Sequence, residues 1–417
     1  MGDILNIKLF GEEIGRLGYD NDKRCSYFQY SPDYLTTNNS KSLPFIIKRN
    51  PEIQSFPQFE GKAFRGLPPM FADSLPDVFG NHLFQSWLNT QGKPIQLNAL
   101  EQLAYVGRRG MGAWEYEPTL TMDAPSSFRI AEMAQLLKEI LADKESLMPE
   151  IANAEGLLNL FRIGTSAGGM RPKILVARHR KTNQIMPGDL LYGPHHDYFL
   201  VKLNLENDPS HPKETIEFIY ASIAQQHGID MMPCELWEGQ HFATHRFDRQ
   251  NNQKQHVLTA SGLTGWDYQN TEDSSYENLF KLAMALKIPL SELQQLFRRM
   301  VFNVVFNNID DHLKNHSFIY NEESDSWRLS PAYDITYSLN LNLVFSKVNR
   351  ALSINQKRNE ISRKDIMKIA DEFSISNADE TINKVIEISS QWNSIATNLS
   401  IPHKVIQSIQ KDFNPLN

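Results

Sequence analysis

The hydrophobic period of this 417-residue chain changes along its length, and that change restricts its fold more than any other feature. From residue 4 to about 120, short alternating segments such as Ile4–Phe10 and Arg24–Tyr30 are broken by Gly, Pro and Asn. This is the pattern of small half-buried strands joined by turns, with one helix expected near Asn81–Leu88. Between Phe128 and Asp143, Ile130, Met133, Leu136, Leu137, Ile140 and Leu141 recur at helical spacing. From about 160 to 250, strands at Lys173–Ala177, Tyr198–Leu203 and Phe242–Arg246 flank a helix at Glu214–Gln226. Beyond about 276 the chain reads as helical, apart from a two-strand passage around Ser317–Leu329. The length exceeds what one core usually serves. The pattern predicts an α+β chain in three blocks: a strand-rich N-terminal subdomain (1–125), a small mixed lobe (126–250) and a helical lobe (251–417).

Charge and cysteine usage remove several classes of function. A formal net charge of −7 supplies no general attraction to nucleic acid or an anionic bilayer. Any contact with DNA would have to be local or borrowed from a partner. Cys25 and Cys234 are far apart and form no metal-spacing pattern, as expected for reduced thiols in a cytoplasmic protein. No apolar run reaches the roughly 18 residues of a membrane helix. The opening Met-Gly-Asp-Ile-Leu-Asn lacks the order of a signal peptide and has Asn6 where a myristoylation signal wants Ser or Thr.

The densest chemistry lies in Ile309-Asp310-Asp311-His312-Leu313-Lys314-Asn315-His316, with Asp334 nineteen residues after Asn315 in Leu329-Ser330-Pro331-Ala332-Tyr333-Asp334. An aspartate, an asparagine five residues on and a second aspartate downstream are the parts phosphoryl transfer needs: one group to orient the attacking hydroxyl and two oxygen ligands for Mg²⁺. Asp310 is the expected base, and Asn315 and Asp334 are the expected metal ligands. Lys314 either steadies the transferred phosphoryl group or is a solvated surface lysine, and His312 is expected to buttress the loop. Asp311 leaves the division of labour between the two adjacent carboxylates open.

Matching nucleotide-side parts stand upstream. Tyr198-Phe199-Leu200-Val201-Lys202-Leu203 is an apolar strand carrying one lysine, and a buried strand rarely holds an unpaired Lys. In kinases such a lysine contacts phosphates and pairs with a helix glutamate. Here that glutamate is Glu217, with Glu214 one turn away as the competitor. Gly164-Thr165-Ser166-Ala167-Gly168-Gly169-Met170-Arg171-Pro172-Lys173 is a glycine-rich loop entering a strand. It fails as a Walker motif because Met170-Arg171 replaces the Lys-Ser/Thr pair, yet the amides of Gly168 and Gly169 can form an anion nest. A small mixed lobe followed by a larger helical one, with these parts distributed across both, is a protein-kinase-like two-lobed layout.

Five motifs together resemble the HipA-type serine/threonine kinases, toxins of bacterial toxin-antitoxin pairs. They are Ser166-Ala167-Gly168-Gly169-Met170-Arg171-Pro172-Lys173, Phe199-Leu200-Val201-Lys202, Thr244-His245-Arg246-Phe247-Asp248-Arg249, Asp310-Asp311-His312-Leu313-Lys314-Asn315 and Leu329-Ser330-Pro331-Ala332-Tyr333-Asp334. The resemblance covers nearly the whole chain. It implies ATP and Mg²⁺ as cofactors, with Ser166, Ala167, Gly168, Gly169, Lys173, Lys202 and Glu217 on the nucleotide side. Arg246 and Phe247 would form the hinge that meets the adenine through backbone groups. It also implies that Ser166 is autophosphorylated, a charge of about −1.5 to −2 that would repel ATP phosphates from the same nest. His245 replaces a glutamate found in some members, and Asp311 a glycine.

By the same resemblance, the partners are a small helix-turn-helix antitoxin similar to HipB, operator DNA mainly through that antitoxin, and a translation component as substrate, typically an aminoacyl-tRNA synthetase. Two other classes use the same constellation: a kinase of small molecules or lipids, and a nucleotide-binding corepressor with vestigial catalysis. Retention of Lys202, Asp310, Asn315 and Asp334 together argues against the last.

Overall fold

The computed structural model describes residues 4–37, 39, 41–61, 63–76, 80–81, 83–85, 88, 97–119, 127–142, 171–206, 208, 212–338 and 349–416. The chain divides into two compact units, Met1–Leu205 with Ala243–Leu258, and Glu206–Phe242 with Thr259–Asn417. The α+β class expected from the hydrophobic period is what the chain adopts.

In the first unit, Gln54–Ser55, Cys25–Tyr30, Glu12–Asp20, Ile4–Leu9 and Trp114–Glu117 lie side by side in that order as an antiparallel sheet. Alternation explains its sidedness: Leu5, Ile7 and Leu9 are all buried, and every second residue of a strand faces the same way. An aromatic layer fills the core, with Phe71 edge-on to Trp114 at 5.1 Å and tilted against Phe28 at 5.6 Å. Burying such side chains stabilises the unit by roughly 1.5–3 kcal/mol each. The helix Ala99–Val106 starts from a capping box in which Asn98 and Glu101 satisfy each other's backbone N–H groups.

Within this unit Ile185–Pro187, Lys173–His179, His196–Lys202 and, from Ala243 on, the strand His241–His245 lie side by side in a second sheet. The Lys173–His179 strand is buried from Lys173 to Ala177, which is why it reads as a continuous apolar run. The helix expected from residue 128 spans Ile130–Ala142.

In the second unit, the helices Lys213–Gln226 and Leu290–Val305 share an aromatic core. Tyr220 meets Trp392 and Phe306 edge-on at 5.6 Å, and Phe302 stacks on Phe306 at 4.1 Å. The Tyr220 hydroxyl donates to the Phe306 carbonyl at 2.9 Å, satisfying an acceptor left open where the helix ends. Strands Ser317–Asn321 and Ser326–Leu329 form an antiparallel hairpin, and further described helices run over Ala260–Thr264, over Tyr276–Ala285 and, four of them, between Arg363 and Lys411.

Candidate active site

The carboxylate loop begins where the helix Leu290–Val305 stops. Asn307 takes a left-handed φ of 54°, a conformation asparagine tolerates better than most residues, and the chain turns out of the helix into Asn308–His312. A single 3₁₀ turn at Leu313–Asn315 closes the loop. Asn315 Nδ2 donates to the Asp310 carbonyl at 2.7 Å, and Asn315 N donates to the His312 carbonyl at 2.8 Å. Because the amide nitrogen is used internally, Oδ1 is the Asn315 atom suited to a metal.

The two adjacent aspartates are sharply different. The Asp310 side chain is 70% exposed, whereas that of Asp311 is 1% exposed. Asp311 Oδ2 accepts from Tyr276 Oη at 2.7 Å and from Arg350 Nη2 at 2.8 Å. Burial alone pulls the Arg350 guanidinium down, but Asp311 and Tyr276 outweigh it and raise it. Burial, reinforced by the Asp311 charge, pushes the Tyr276 hydroxyl well above its ordinary value, so it stays a donor. Asp311 is therefore a tie inside the protein, and Asp310 is the accessible carboxylate of the loop.

Asp334 lies on a second turn stitched to the first. Its own φ is 53°, and its carbonyl accepts from Asn308 Nδ2 at 3.4 Å. Tyr333 Oη donates to the Lys314 carbonyl at 2.7 Å and contacts Ser317 Oγ at 2.5 Å. Lys314 Nζ sits 5.0 Å from the Tyr268 ring centroid, within cation–π range, and His312 packs on the same ring at 5.3 Å. His316 lies behind the loop, edge-on to Tyr276; burial lowers it to about 4, so its imidazole is neutral at pH 7. Asn315 Oδ1 and the Asp334 carboxylate are hard oxygen donors of the kind Mg²⁺ takes from a protein, usually one or two at a time. Among the described residues no group of three or more His, Cys, Asp and Glu is placed to cage a metal.

In the first unit, Lys173 and Lys202 are directly opposite partners in the antiparallel ladder. They are 2% and 5% exposed, and opposed residues share one face of a sheet. Spacing along the sequence gave no sign of this pairing. In the second unit, Glu217 is 1% exposed on the helix Lys213–Gln226, and Glu214 is 8% exposed. Ser166, Ala167, Gly168 and Gly169 lie outside the described residues.

The expected hinge is partly committed elsewhere. Arg246 is buried, with Nε and Nη2 donating to Asp248 at 2.8 and 2.7 Å and Nη1 donating to the Gly188 carbonyl at 2.7 Å. Its backbone N–H donates to the Tyr198 carbonyl at 2.9 Å, so neither its side chain nor its amide is available to read a ligand edge. Asp248 also receives Arg249 Nη1 and Gly112 N, and Arg249 reaches the carbonyls of Gly110 and Gly112. Burial pushes the Asp248 carboxyl up, but the two guanidiniums outweigh it and hold it well below the usual range. The Arg246-Phe247-Asp248-Arg249 run is thus a buried ionic cluster, with Phe247 half-buried beside it. His245 packs its ring 4.2 Å from Phe199.

Two family models match the chain: the HipA N-terminal domain over residues 5–117 and the HipA-like C-terminal domain over residues 165–392. The chain belongs to the HipA family. Among solved structures, this HipA-family fold matches that of HipA in the complex of HipA, HipB and operator DNA from Shewanella oneidensis MR-1. The match has a TM-score of 0.64 at 16% identity over 98% of this chain and 95% of the other. Y4dM of Sinorhizobium fredii, provisionally named a kinase, is 23% identical over 97% of this chain and 95% of its own length. A Haemophilus influenzae protein with the same provisional name is 32% identical over 104 residues, 22% of this chain and 29% of that protein.

Asn308, Tyr276, Arg350 and Tyr268 contribute to the site although sequence reasoning did not single them out. Asn308 stands two residues before Asp310, inside the motif itself. The other three are brought in from distant positions and carry no local signal.

Proposed function

We propose that this HipA-family protein is an ATP- and Mg²⁺-dependent serine/threonine kinase acting as the toxin of a toxin-antitoxin module in the cytoplasm. The observation that carries the reading is the pair of stitched turns. An exposed Asp310 stands in a loop closed by Asn315, and that loop is tied to the turn bearing Asp334.

Asp310 orients the acceptor hydroxyl and takes its proton as the oxygen bonds to the γ-phosphorus and the bond to the ADP oxygen breaks. Asn315 and Asp334 hold the metal, which when bound neutralises charge on the phosphates. Lys314 steadies the transferred group. Lys173 and Lys202, opposed on one sheet face, serve the phosphates. Glu217 is the carboxylate assigned to Lys202, and Ala167, Gly168 and Gly169 form the phosphate nest. Phe247 lines the adenine side, while Arg246 supports the hinge from behind rather than through its N–H. Ser166 is the autophosphorylation site.

The partners that fit this reading are a HipB-like helix-turn-helix antitoxin, operator DNA held through it, and a translation component such as an aminoacyl-tRNA synthetase. The net charge of −7 supports an indirect DNA contact. Incubation of the purified protein with [γ-³²P]ATP and a cell extract tests it. Label on Ser166 and on an extract protein is expected, with both lost in Asp310→Ala and Asp334→Ala. Retained Ser166 labelling in either variant overturns the site, and labelled metabolites without labelled protein would make it a small-molecule kinase.

A further inference from the structure

We infer that Asn308 is the positioning residue that fixes the Asp310 and Asp334 segments relative to each other during phosphoryl transfer, an inference resting on the site reading above. Asn308 is 2% exposed. Its Nδ2 donates to Asn303 Oδ1 at 3.0 Å and to the Asp334 carbonyl at 3.4 Å. Its Oδ1 accepts from Ser338 Oγ at 2.7 Å, and Ser338 Oγ in turn accepts the Asp310 N–H at 3.4 Å. One amide thus reaches the backbone of both proposed reacting residues, Asp334 directly and Asp310 through a single hydroxyl. Neither link engages a carboxylate, so Asn308 acts on the positions of these groups and takes no part in the bond changes.

The amide is itself held from behind. Asn303 Nδ2 donates to Tyr276 Oη at 3.0 Å, Tyr276 donates to Asp311, and Arg350 Nη2 donates both to Asp311 and to the Asn308 carbonyl, the latter at 3.2 Å. The ring Asn308, Asn303, Tyr276, Asp311, Arg350 closes on itself. A primary amide is the group that offers two donors and an acceptor at this length. Asp334 keeps a left-handed φ of 53°, a conformation that persists only when its surroundings over-determine it. The two 3.4 Å contacts are long, of the kind that tighten as substrate completes a site.

The test uses the full chain and three readouts: steady-state phosphorylation from [γ-³²P]ATP across ATP and Mg²⁺ titrations, amide hydrogen exchange over 308–315, and melting temperature. Asn308→Ala is expected to lower kcat on the order of 10²-fold, the cost of about a 1 Å misplacement, with KM for ATP moved less than about threefold. Exchange at Asp310 N–H should rise. Ser338→Ala, at a half-buried position, should lower kcat in the same direction, and the double variant should be no worse than Asn308→Ala, because the two act as one unit.

A merely structural Asn308 would instead reduce melting temperature and active fraction together, leave Mg²⁺ dependence unmoved and add to Ser338→Ala, and that result overturns the inference. Should Asn308→Ala fail to fold, Ser338→Ala decides: unchanged kcat and unchanged Asp310 exchange overturn it. Asp310→Asn and Asp334→Asn separate the two levels. If they stay active, the site reading fails and the inference with it; if they are inactive while the Asn308 and Ser338 variants are normal, the inference alone fails.

Discussion

Neutralising Asp310 and Asp311 one at a time should give opposite phenotypes, although the residues are adjacent and chemically identical. Asp311→Ala removes the countercharge of Arg350, which is 4% exposed, and the acceptor of Tyr276, which is fully buried. Breaking a buried ion pair from one side costs about 3–5 kcal/mol, and an orphaned hydroxyl adds to it. In a unit of roughly 200 residues, at about 2–4 °C per kcal/mol, the melting temperature should fall by about 6–20 °C. Asp310→Asn changes a side chain that is 70% exposed, so melting should move by no more than about 1 °C. Turnover, however, should drop about 10²–10⁴-fold with the loss of a general base. Calorimetry and ³²P transfer on the two purified variants read both quantities. A cold-shifted Asp310→Asn, or a thermally normal Asp311→Ala, would refute the assignment of one carboxylate to packing and the other to chemistry.

Three further outcomes follow from the charges described above. Lys202→Met and Lys173→Met should each weaken binding of a fluorescent ATP analogue by at least about tenfold, since each removes one of the two buried ammonium groups opposed on one sheet face; unchanged affinity in both would remove them from the phosphate site. Asp248→Ala should cost about 3–5 kcal/mol in urea unfolding at pH 7. Because its folded carboxyl is held below the unfolded value of about 3.9, that contribution is complete above about pH 4 and is lost as pH falls further; a wild-type-minus-variant difference flat with pH would contradict this. His256 and His316 are both lowered to about 4 by burial. The unfolded chain therefore binds more protons between about pH 6.5 and 4. Stability should be full above that window and fall as pH drops through it, with a shallower fall in His256→Asn.

Much of the fold was legible because its strands and helices obey simple periods. Ile4–Leu9 and Cys25–Tyr30 alternate, Lys213–Gln226 buries Ile216, Ile219, Tyr220 and Ile223 at helical spacing, and the Ser317–Leu329 hairpin stands between polar turns. Asp310, Asn315 and Asp334 could be read from sequence as candidates because their spacing is local. The resemblance implied backbone contacts from Arg246, and only the packed structure shows its N–H already donating to Tyr198 and its side chain to Asp248 and Gly188.

The sequence by itself determined the α+β class, the HipA resemblance and the residue types that phosphoryl transfer requires, since these depend on period and on short-range order. Spacing to Asn315 favoured Asp310 over Asp311 without settling the division of labour, because adjacent carboxylates share nearly the same local context. Tertiary structure decided between them by bringing Tyr276 and Arg350, 35 and 39 positions away, onto one oxygen of Asp311. A charge taken out of water must be met by partners. Asp311, met by Tyr276 and Arg350, became part of the framework, whereas the Asp310 side chain stays 70% exposed.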